Sequence, residues 1–145
     1  MKKFRKNQKS KKLIVIASIL TILMAVPHFF VPFIFPWESL TKELYPTLKW
    51  ALFAMNFFYS LLLLWGGLLS LNAILRWRIS NEIKYYLFGG LGLFWLIGAI
   101  YEIIYPFPIE GAKYIMLLFA LLISLLYVIG MLYLKVETFE KKATK

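Results

Sequence analysis

Four stretches of this chain carry almost no charge, and each is long enough to cross a bilayer. Residues 13–35, 50–75 and 114–134 contain no Lys, Arg, Asp or Glu, and residues 85–105 contain only Glu102. About 20 apolar residues span a hydrocarbon core of roughly 30 Å. Hydrocarbon offers the backbone no hydrogen-bond partner, so each span must be helical. The connections are short, which favours antiparallel neighbours. The sequence therefore predicts an all-α integral membrane protein, a four-helix up-down-up-down bundle over residues 13–134. A basic arm (1–12) precedes it and a short tail (135–145) follows it.

Composition agrees. Of the 145 residues, 61% are hydrophobic and only 17% are charged, whereas a soluble domain carries about a quarter charged residues. The net charge of +10 could suggest nucleic acid, but the basic residues flank the spans and form no surface patch, so no nucleic-acid partner is expected. Seven of them, Lys2, Lys3, Arg5, Lys6, Lys9, Lys11 and Lys12, lie in the arm. With the connection between spans two and three and the tail, they place most of the Lys and Arg on one side. Lys42, Lys49 and Lys113 are left on the other. Positive residues stay inside, so both termini are expected in the cytoplasm of a cell-membrane protein. The arm is expected to rest on anionic lipid. The first apolar run is too long for a signal-peptide core, so an uncleaved span is expected. Aromatic residues fall near the predicted boundaries, Trp37, Tyr45, Trp50, Tyr105 and Tyr114 outside and Trp77, Tyr85, Tyr86 and Tyr133 inside, at the depth such rings prefer.

Membrane helices pack through small and weakly polar residues. Each span has one such stripe at helical spacing: Ser18, Thr21, Ala25 and His28 in the first; Asn56, Ser60, Gly67 and Ser70 in the second; Gly92, Trp95, Ala99 and Glu102 in the third; Ala120, Ser124 and Tyr127 in the fourth. At 1.5 Å per residue, His28, Asn56 and Glu102 lie roughly 5 to 10 Å inside the outer boundary, with Tyr59 and Tyr101 at similar depth. Pro27 and Pro32 remove the donors that would meet the carbonyls of Leu23 and His28, so a kink or break is expected in the outer third of the first span. His28, Asn56, Glu102, Tyr59 and Tyr101 are thus the candidate ligand-binding residues of an outward-opening pocket. Intramembrane ionisable groups are functional candidates by default. The plain alternative is that His28 and Asn56 bond neighbouring helices and that Glu102 is solvated or paired with Lys113.

The inventory points away from catalysis. The chain has no Cys and no Asp, and a single His, so there is no thiol nucleophile. One His and one intramembrane Glu fall short of the three or four ligands of a zinc site, and no metal is expected. The chain is read as a non-enzymatic protein binding a lipid- or quinone-like molecule or a partner helix. Quinone is the one cofactor-like ligand considered, and membrane lipid, a partner membrane subunit or a second copy are the partners. A small transporter or proton-relay component is the alternative.

The stretch His28-Phe29-Phe30-Val31-Pro32, followed by Pro36, resembles the HF-x-x-P stretch of small four-helix DoxX-like membrane proteins. The likeness covers about the first 70 residues and departs at Asn56, near where those proteins often carry a carboxylate. It implies an accessory role beside a quinone-linked oxidoreductase.

Overall fold

The computed structural model describes residues 2–35, 37–107 and 110–143, with side chains at all of these except 2–7, 40, 110 and 135–143. The helices are α1 (Lys2–Ile34), the single turn α2 (Trp37–Leu40), α3 (Pro46–Leu75), α4 (Asn81–Ile104) and α5 (Glu110–Ala143). All but α2 are long and apolar enough to cross a membrane. The chain is an all-α, membrane-spanning bundle of four helices running up, down, up and down. The described ends of α1 and α5 that are nearest the chain termini share one end of the bundle with the α3–α4 connection. The opposite end, here the distal end, carries α2 and the α4–α5 connection.

Local chemistry sets several helix ends. Pro46 opens α3, where its missing N–H costs nothing. Ser80 caps α4, its hydroxyl accepting from the Ile83 N–H at 3.2 Å. α2 is tied down by Thr41, whose buried hydroxyl donates to the Trp37 carbonyl at 2.5 Å.

The small-residue stripes form the core. Ser18, Thr21, Ala25, Ser60, Ser70, Trp95, Ala99, Ala120, Ser124 and Tyr127 are all buried, as are Gly67 and Gly92. α1 lies against both α3 and α5, and α5 against α4. Where backbones come close, hydroxyls bridge them: Ser18 and Ser70 share a hydrogen bond of 2.7 Å, Ser124 donates to the Gly92 carbonyl at 2.9 Å, and Ser10 donates to the Gly130 carbonyl at 2.8 Å.

α3 and α4 are the exception. They run antiparallel across a short connection but scarcely touch. Their contacts are bulky: Leu91 stands beside Gly66, and the rings of Tyr59 and Phe94 lie 6.0 Å apart.

One expectation about α1, a break at its prolines, needs correction. The helix continues through Pro27 and Pro32 to Ile34. The carbonyl of His28, which loses its intrahelical donor to Pro32, accepts instead from the Asn56 amide at 2.9 Å. This satisfies a group that would otherwise be unmet in an apolar setting. Asn56→Ala removes that donor, and we expect it to destabilise the bundle by about 1–3 kcal/mol, read as a lowered unfolding midpoint in detergent. The basic arm is helical as well. It continues α1, and Ser10 within it is buried against α5. Of the arm, the side chains of Lys2, Lys3, Arg5 and Lys6 lie outside the described residues.

Tyr127 is fully buried between the helices, its ring stacked on Phe88 at 6.4 Å. Its hydroxyl has no hydrogen-bond partner. Tyr127→Phe should therefore leave the melting temperature unchanged or raise it, by the equivalent of about 1 kcal/mol. A clear loss of stability would show that the hydroxyl is satisfied in the folded protein.

Candidate functional site

A cavity of about 560 Å³ opens where α3 and α4 part. All five candidate residues line it: His28 from α1, Asn56 and Tyr59 from α3, Tyr101 and Glu102 from α4. Helical spacing explains the convergence. Tyr101 and Glu102 stand on the turn after Gly98, which is also in the wall, and Asn56 and Tyr59 are three residues apart on α3. The remaining wall is mainly apolar and aromatic, and among the described residues no Lys or Arg contributes to it.

The five are not equivalent. Asn56 is engaged in holding the His28 carbonyl, so its amide is first a support of α1. The His28 imidazole meets the Tyr59 ring edge to face, with centroids 5.0 Å apart. Tyr59 in turn leans on Phe94, and Phe94 meets Trp95 edge to face at 6.0 Å. Trp95 is pinned beneath by its indole N–H, which donates to the Thr21 hydroxyl at 3.2 Å. His28 and Tyr59 are thus positioned by a chain of rings with a hydrogen-bonded base. Such ring pairs are worth about 0.5–1.5 kcal/mol each beyond their buried area.

Glu102 stands near the distal rim, half-buried. Its carboxylate accepts from the backbone N–H of Phe107 at 2.7 Å. That bond folds the start of the α4–α5 connection over the end of α4. It also sets Phe107 against Phe35 of α1, ring centroids 5.7 Å apart. One carboxylate oxygen anchors a cover over the cavity.

The sequence reading missed the rim and the floor. Phe35, Trp37 and Phe107 close the distal side, while Met24, Met116 and Ala120 lie deeper. Met24 could have been found, since it sits one turn before His28 on the same face. Ala120 already stood on the packing stripe of its helix. Phe107 carried no such signal, because its position depends on the Glu102 bond and not on periodicity.

Beneath the cavity the polar side chains serve the bundle itself. Thr21 donates to the Ala17 carbonyl at 2.8 Å while accepting from Trp95, and Ser18 bonds Ser70. No protein-family model matches this chain, and no curated protein or solved structure is similar enough to count as a match.

Proposed function

We propose that this is a multi-pass protein of the cell membrane, with both termini in the cytoplasm, whose distal cavity binds an amphipathic lipid- or quinone-like molecule from the outer leaflet without catalysing a reaction. The observation that carries the reading is the convergence of His28, Tyr59, Tyr101 and Glu102 from three helices on one apolar-walled cavity. Sites for small amphipathic ligands combine an apolar wall with a few placed polar groups. The gap between α3 and α4 gives such a molecule a lateral route from the surrounding lipid. The orientation rests on the one-sided distribution of Lys and Arg.

Binding is favoured over conduction because the hydroxyls below the cavity are engaged in helix–helix hydrogen bonds, which leaves the polar groups of the cavity without a partner chain of polar groups towards the other side. The DoxX-like likeness would make the ligand a quinone and the protein an accessory subunit. The His–Pro pair that carries this likeness has a local task here, since Pro32 frees the carbonyl that Asn56 takes up.

The test is native mass spectrometry of the protein released from nanodiscs, beside His28→Ala. The expected result is a bound molecule on the wild type that is reduced at least tenfold in the variant. Equal occupancy in both would remove His28 from the site, and two bare spectra would overturn the reading.

A further inference from the structure

From the make-up of the cavity we infer the charge class of its ligand: a cationic amphiphile, an alkylammonium head on an apolar body, with the head at Glu102. The inference rests on the binding role proposed above and narrows it.

The argument is one of charge and position. Glu102 supplies the cavity's carboxylate, and among the described residues no Lys or Arg in the wall offsets it. The same cavity is lined by the rings of Phe35, Trp37, Tyr101 and Phe107. Aromatic faces attract an ammonium group through their quadrupole, most strongly where water is excluded. The same wall would repel an anionic head, and a neutral head would gain nothing from the charge. The Phe107 N–H holds one carboxylate oxygen at 2.7 Å, which fixes the carboxylate's direction at the rim. The cavity's floor is of the opposite character: Met24, Trp95 and Ala120. Met24 lies ten residues before the end of α1, so the cavity reaches about 15 Å into the bundle. A head at the rim and an apolar body running inward match this polarity.

Glu102→Gln is the decisive variant, because the amide oxygen can still accept from Phe107 while the charge is gone. In maltoside micelles, decyltrimethylammonium and decanol would be titrated against wild type and variant, reading the intrinsic fluorescence of Trp37 and Trp95 against the other tryptophans. The expected result is that Glu102→Gln weakens the ammonium compound at least tenfold and leaves the alcohol within twofold. If both probes respond alike to the variant, or the alcohol alone binds, the cationic class is overturned while the pocket stands. If neither probe binds the wild type, the binding role itself fails and the inference with it. Native spectra from phosphatidylethanolamine nanodiscs then separate the sources. A phospholipid retained by the wild type and lost in Glu102→Gln makes the ligand a membrane lipid. Uptake of the added ammonium compound alone makes it a free amphiphile.

Discussion

Gly67→Leu should destabilise the folded bundle strongly. A Cβ on Gly67 would stand 2.6 Å from Ile22 Cγ1, 3.0 Å from the Ser18 carbonyl oxygen and 3.1 Å from the Ile22 nitrogen. Two of these atoms are backbone, so no rotamer change relieves the contact and α3 must move away from α1. The Ser18–Ser70 hydrogen bond lies one turn further along the same interface and would stretch with it. Overpacking costs about 1–3 kcal/mol and sometimes more. A leucine here belongs at or beyond the upper end, with a second contribution from the lost hydroxyl pair of about 0.6 kcal/mol. The measurement is the unfolding midpoint in a denaturing-detergent titration, with Gly90→Leu as the control, because a Cβ at Gly90 meets nothing within 4 Å. A wild-type midpoint for Gly67→Leu would mean that α1 and α3 do not approach in this way.

Gly98→Phe should do the reverse, leaving the fold intact and emptying the site. Gly98 lines the cavity, and a Cβ there also meets nothing within 4 Å. A ring at this position grows into open space one turn before Glu102. Replacing a helical glycine removes a penalty of up to about 1 kcal/mol relative to better helix formers, so stability should hold or rise slightly. Occupancy of the cavity should fall more than tenfold, read by native mass spectrometry beside the wild type. A variant that melts normally and still carries the molecule would move the binding site elsewhere on the protein. The two glycines separate packing from binding, since one fills a contact and the other fills a vacancy.

Much of this was legible in the residues. Four long apolar runs dictate four helices, because lipid leaves the backbone no other choice. The stripes through Ser18, Gly67, Trp95 and Ser124 named the buried faces, because small and polar residues have little reason to face lipid. The shared depth of His28, Asn56 and Glu102 followed from counting along helices. What could not be read was anything decided by a single cross-helix bond. Pro32 pointed to a kink or break with a freed carbonyl; α1 continues to Ile34, and the Asn56 amide meets that carbonyl. Glu102 stood out as a candidate carboxylate near the outer boundary, but nothing in the spacing showed that it would hold the Phe107 N–H. The separation of α3 and α4 was also hidden, since a short connection implies neighbours and says nothing of how closely they pack.

The pairing of α1 with α5 has a consequence for biogenesis. α1 rests against α5, while α4 has little to lean on in α3. During synthesis α1 and α3 can associate as soon as both are inserted, but α4 must wait in the bilayer until α5 arrives. The distal cavity takes its wall from all four spans, Met116 and Ala120 of α5 included. It is therefore complete only once α5 is inserted, and a chain stopped after α4 would lack that part of the wall.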